Sequence, residues 1–146
     1  MFQAITHSAV FVTDQDEALD FYVGKLGLEV VADVDLGVMR WLTVRVPGDT
    51  DRELLLETPK NPMVDDETAG EVRALLSKGA LGLGFILQTD DCQAAYEELS
   101  AKGVEFSQEP TERFYGIDAG IRDPFGNNIR MTQPAAEMGE PPESWS

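Results

Sequence analysis

The sequence predicts an α+β fold made of two βαβββ modules, whose curved mixed sheets surround a cavity. Three observations carry that expectation. A short alternating strand runs into an amphipathic helix that stops at a glycine. Three further strand patterns follow the stop. The whole order then returns later in the chain: sliding the sequence by 77 residues brings Asp14 onto Asp91, Ala18 onto Ala95 and Lys25 onto Lys102, and dropping one residue brings Gly27 onto Gly103 and Glu29 onto Glu105. Each step of the repeated order has its own local cause, so the recurrence outweighs the few identities.

Residues 1–60 form the first predicted module. Thr6 to Thr13 alternates, with Ser8, Val10 and Val12 on one face and His7, Ala9 and Phe11 on the other, which is the period of a strand. DQDEALDFYVGKLG follows. Asp14 or Thr13 caps the helix start, acidic residues occupy the turn where the helix dipole favours them, and Gly27 ends it. Leu28 to Val34, Val38 to Val46 and Glu53 to Thr58 are the remaining strands, with the turn Pro47-Gly48-Asp49-Thr50 before the last.

Residues 61–80 are a connector. Asn61 and Pro62 open a polar loop, and DDETAGEVRALLSKG reads as a helix with Ala69, Val72, Leu75 and Leu76 on its apolar side. Residues 81–134 repeat the first pattern. Gly82 to Thr89 is a strand, DDCQAAYEELSAKG a helix ending at Gly103, and Val104 to Ser107, Tyr115 to Arg122 and Asn128 to Thr132 are strands, the last two joined by a turn at 123–127. Residues 135–146 are acidic and proline-rich, and are expected to be disordered.

In this scheme the helix of each module covers one sheet face. The other face carries His7, Ala9 and Phe11 in the first module, and Gly84, Ile86, Gln88, Asn128, Arg130 and Thr132 in the second. A half-apolar face is unfavourable in water, and two such faces shield each other around a concave space, the usual make-up of a ligand site. Phe11, Trp41, Gln88, Tyr115 and Arg130 are the candidate ligand-binding residues, with Phe114 a further aromatic wall. His7, the sole histidine, suits three roles: metal ligand, general base, or plain hydrogen-bonding group. Arg130 suits two, pairing with Glu53 or Glu57, or receiving a carboxylate or phosphate on its planar fork. Asp118 and Arg122 share a strand face and are expected to pair with each other.

The net charge of −16 repels phosphate backbones and anionic lipids, which sets nucleic-acid and membrane partners aside. No run of about 18 apolar residues is present. The single cysteine, Cys92, cannot close an internal disulfide and reads as a small packed residue rather than a reactive thiol. A reducing cytoplasm and no secretory leader are the corresponding expectations.

The stretches ITHSAVFVTDQDEALDFYVGKLGLEV, GLGFILQTDDCQAAYEELSAKGVEF and YGIDAGIRDPFGNNIRMTQP resemble the vicinal oxygen chelate superfamily of glyoxalases, extradiol dioxygenases and bleomycin-type resistance proteins. The likeness spans residues 4 to 134. It implies metal-ligand positions on the first and last strands of each module. These fall on His7, on Leu54 or Leu55, on Gly84 and on Arg130, with Glu53 and Glu57 near the second. A glycine and a cation are no donors, so the resemblance combined with these residues implies a degenerate metal site and a small-molecule-binding protein without a cofactor. The alternative is a metal-dependent lyase, isomerase or dioxygenase using Zn, Ni, Fe or Mn held by His7 and Glu57. An enzyme without metal, with His7 or Glu57 as acid–base group, is a third possibility. The resemblance also implies a homodimer.

Overall fold

The computed structural model describes residues 1–145. Two four-stranded sheets are present, and their strand orders are the same: β1-β4-β3-β2 in the first and β5-β8-β7-β6 in the second. The strands are β1 (His7–Phe11), β2 (Glu29–Asp35), β3 (Arg40–Arg45), β4 (Glu53–Glu57), β5 (Leu83–Gln88), β6 (Glu105–Arg113), β7 (Gly116–Arg122) and β8 (Asn128–Pro134). In each sheet the first strand runs parallel to the last and the other pairs are antiparallel. The predicted pair of βαβββ modules is therefore observed. The chain forms two compact units, Met1–Gly82 with the turn Pro124–Asn127, and Leu83–Asp123 with Asn128–Ser146.

In the first unit, Asp14 caps helix α1 (Gln15–Leu19) by accepting from the Glu17 N–H at 2.9 Å. The helix continues as a π-helical stretch over Asp20–Lys25, where the sequence predicts an ordinary helix throughout. Its wider turn brings successive side chains closer in angle. Both Phe21 and Tyr22 are buried as a result, ring edge to ring face with centroids 5.0 Å apart. Gly27 ends the helix at φ +77, a conformation that glycine reaches without a Cβ penalty. Val10, Val12, Leu42, Val44, Leu54 and Leu56 fill the core of this unit.

Helix α2 (Asp66–Ser77) is capped by Asp65 and anchored by Ala69 and Leu76, which are buried. Leu75, expected on that same apolar side, is instead exposed. The apolar stripe is narrower than the sequence implies, because residues 69, 72 and 76 alone follow the helical spacing of one face.

The second unit repeats the plan. Asp91 caps helix α3 (Cys92–Ala101), and Gly103 follows its end at φ +83. Cys92 is fully buried and burial raises its thiol pKa, an inert environment. Ile121, Ile129 and Met131 are buried, while Gly84, Ile86 and Gln88 of β5 are exposed, the split that strand alternation predicts. Strand β6 is longer than expected, running through Pro110 to Arg113. Along the tail predicted to be disordered, Gly139 N–H donates to Phe114 O at 2.7 Å and Trp145 packs edge-on against Phe114. Among the described residues, no helix is long and apolar enough to cross a membrane.

Candidate functional site

Strand register decides what meets what on the sheet faces not covered by helices. In the first unit His7 pairs with Glu53, Ala9 with Leu55 and Phe11 with Glu57, while Thr43 of β3 pairs with Leu55. These side chains share one face because alternate residues of neighbouring strands point the same way. Trp41 lies two residues before Thr43 and so joins them.

A short polar chain crosses this face. Thr43 Oγ1 donates to Glu53 Oε1 at 2.7 Å, and the other Glu53 oxygen lies 3.4 Å from His7 Nε2. His7 Nδ1 is 2.8 Å from Thr6 Oγ1, which leaves the ring half-exposed and held from both sides. The Trp41 ring lies 6.1 Å from it, centroid to centroid. Glu57 is four residues along β4 from Glu53, or about 13 Å at strand spacing. His7 and Glu57, the two residues considered as a metal pair, are thus not brought together; the carboxylate beside His7 is Glu53. Glu57 sits at the other end of the face, beside Phe11 in the register. Burial raises its carboxyl pKa.

The equivalent face of the second unit is built around Asp118. Its side chain is only 3% exposed, yet it is charged and fully engaged. Arg130 Nη2 and the Tyr115 hydroxyl both donate to Oδ2, the latter at 2.8 Å. Gln108 Nε2 lies 3.4 Å and Arg113 Nε 3.7 Å from Oδ1. Burial pushes the Asp118 carboxyl up, but the bonds from Arg130 and Tyr115, with the charges of Arg130 and Arg113, outweigh it and hold the pKa below the ordinary carboxylate value. Asp118 therefore does not pair with Arg122, as its position four residues away on β7 suggests. Arg122 donates to Asn128 Oδ1 instead, at 3.1 Å, because Asn128 is its cross-strand partner. The ion pair expected between Arg130 and Glu53 or Glu57 is likewise replaced by the pair with Asp118.

Of the candidate ligand-binding residues, Phe11 and Trp41 lie together on the open face of the first sheet. Arg130, Tyr115 and Gln88 belong to the second, where Gln88 pairs with Thr132 and Ile86 with Arg130. Thr43, Gln108 and Arg113 were invisible as site residues in the sequence. Only the register, which sets Thr43 against Leu55 and Gln108 against Gly120, places them there. A surface groove in the first unit is lined by Val38, Met39, Arg40, Thr58, Lys60 and Met63.

The family positions for metal ligands can now be placed. Ala9 pairs with Leu55 as Ile86 pairs with Arg130, so Leu55 is the first-module counterpart of Arg130. The four positions hold an imidazole, an isobutyl group, a glycine and a guanidinium. Among the described residues, no group of three or more His, Cys, Asp or Glu side chains is arranged to hold a metal ion. Divalent cations of this kind take several N, O or S donors, and this donor set does not fit one.

A family model described as Glyoxalase/Bleomycin resistance protein/Dioxygenase superfamily matches residues 4–131. The protein YurT of Bacillus subtilis (strain 168) is 37% identical over 130 residues, 88% of this chain and 98% of its own. The crystal structure of UcmS2 is 37% identical with a TM-score of 0.87, covering 91% of this chain and 99% of that one. The structure of TnmS3, described as an antibiotic binding protein from Streptomyces sp. CB03234, is 31% identical with a TM-score of 0.72, covering 92% of this chain and 98% of that one.

Proposed function

Because the chain belongs to the glyoxalase/bleomycin resistance protein/dioxygenase superfamily, we propose that it is a non-catalytic member of it, a cytoplasmic homodimer that sequesters a flat aromatic small molecule without using a metal. The observation that carries this reading is the content of the open sheet faces. Of the four positions where family metal enzymes place ligands, only His7 offers a donor; the others hold Leu55, Gly84 and an Arg130 already tied to Asp118. The open face of the first sheet adds Trp41 and Phe11, and the second unit adds Tyr115; such rings offer large rigid contact area at little entropic cost. The half-buried Glu57 carboxylate beside Phe11 favours positive charge on the part of a ligand that meets the first sheet. The likeness to TnmS3, itself described as antibiotic-binding, supports the same reading.

Calorimetry on protein treated with EDTA tests it, using proflavine as a flat cationic probe and an aliphatic amine as control. Saturable proflavine binding, unchanged by EDTA and absent for the aliphatic amine, is the expected outcome. No saturable heat with proflavine, or binding that EDTA abolishes, would overturn the proposal.

One observation favours a second reading, a metal-dependent lyase, isomerase or dioxygenase: His7 Nε2 and Glu53 Oε2 approach to 3.4 Å on one face. Two donors are too few for a closed site. Elemental analysis finding stoichiometric Zn, Ni, Fe or Mn that is lost in His7→Ala would establish this reading in place of the first.

A further inference from the structure

We infer that the second unit carries a subsite for a compact oxyanion, a carboxylate or phosphate, formed by Arg113 and Arg130 around the Asp118 carboxylate. The inference deepens the small-molecule-binding reading and rests on it.

Two guanidinium groups converge on one carboxylate, so the cluster holds one positive charge in excess within a chain of net charge −16. Asp118 carries one negative charge and cannot neutralise both guanidinium groups. One of its oxygens accepts from Arg130 and Tyr115, and the other faces Gln108 and Arg113. Donor capacity remains on the arginines. Both hydrogen bonds of Arg130 leave from Nη2, to Asp118 and to Gln108 Oε1. A guanidinium carries five N–H donors, so the rest of its fork is available. Arg113 stands 3.7 Å from Asp118, beyond hydrogen-bond distance. Its charge is engaged but its N–H groups are not consumed. Neither arginine forms another ion pair among the described residues.

The local backbone is shaped to hold this arrangement. Gly120 is the cross-strand partner of Arg130, and a Cβ there would meet Arg130 Nη1 at 2.8 Å and Ser107 Oγ at 2.4 Å. The missing side chain leaves room for the guanidinium against β7. The side chains of Arg130 and Arg113 remain 28% and 39% exposed, open enough to be reached and sheltered enough for charge-assisted bonds to count. Asp118 then acts as a tether that fixes the Arg130 fork before any ligand arrives, which lowers the entropic cost of binding.

The experiment uses the whole chain and titrates it with benzoate and, separately, with inorganic phosphate, following binding by calorimetry. Arg113→Gln removes the excess charge while leaving the Arg130–Asp118 pair intact, so its fold is expected to survive. Arg52→Gln, an exposed arginine of the first unit that pairs with Asp49, controls for net charge. Saturable binding of benzoate is expected, weakened about tenfold by Arg113→Gln, the loss of roughly one charge-assisted hydrogen bond. Arg113→Lys should recover part of it and Arg52→Gln should change nothing. Binding of phosphate alone, with the same mutational pattern, supports the oxyanion subsite and assigns it to phosphate. No saturable binding of either anion, or equal effects of Arg113→Gln and Arg52→Gln, overturns the inference. Proflavine binding measured on the same preparation separates this failure from failure of the binding function as a whole.

Discussion

Asp118 is the residue whose chemistry is most constrained. It is a buried carboxylate with a pKa lowered by its partners, so its contribution to stability has a defined sign. A group whose folded pKa lies below its unfolded value stabilises the fold above the unfolded value, about 3.9 for Asp. That contribution is lost as pH falls through the folded value. Asp118→Asn keeps the shape and removes the charge, leaving Arg130 without its counter-ion. It should cost about 3 kcal/mol at pH 7 by chemical denaturation, with the gap from the parent narrowing below pH 4. A gap independent of pH would place the loss in packing rather than in charge. The sequence placed Arg130 on an open face and Asp118 on a strand face shared with Arg122. It could not pair them, since the partner of a strand residue depends on register between segments that are distant along the chain.

At the level of elements, the helices were the easiest to read. Asp14 accepts the predicted capping bond from a backbone N–H three residues on, and Asp65 and Asp91 do the same for α2 and α3. Asp91→Ala should destabilise the protein by about 1 kcal/mol in the same denaturation measurement, whereas Glu97→Gln on the exposed face of α3 should leave the midpoint unchanged. A cost for Asp91→Ala no larger than for Glu97→Gln would contradict the capping role. Strand β6 was harder. Its last six residues, QEPTER, are polar and include Pro110, features that argue against a strand. The structure accommodates them because β6 is the edge of its sheet and the β6–β7 register slips between Gln108 and Thr111. Proline is tolerated at such edges and bulges. Arg113 went unrecognised for the same reason, since it closes a strand whose existence the composition hides. The π-helical stretch after α1 also left no mark in the sequence, as its apolar positions fit an ordinary helix equally well.

For the molecule as a whole, the repeat was legible and decisive. Two segments with the same order of strand, helix, stop and three strands fold into two sheets with the same strand order. The reason is local: each βαβββ module has one helix, α1 or α3, to cover one sheet face, and the alternation in β1, β4, β5 and β8 decides which face that is. What the open faces do is a matter of side-chain chemistry and not of topology. Leu83 and Ile86 of β5 are 55% and 59% exposed, and exposed apolar side chains beside buried charge are the common setting of a ligand site. On the proposed function, a small aromatic molecule binds at a helix-free sheet face. Amide NMR during titration with proflavine tests it most directly. The account predicts saturable shifts concentrated at His7, Ala9, Phe11 and Trp41 and at Ile86, Gln88 and Arg130, with α1 and α3 silent. Shifts confined to the helices, or none at all, would contradict it.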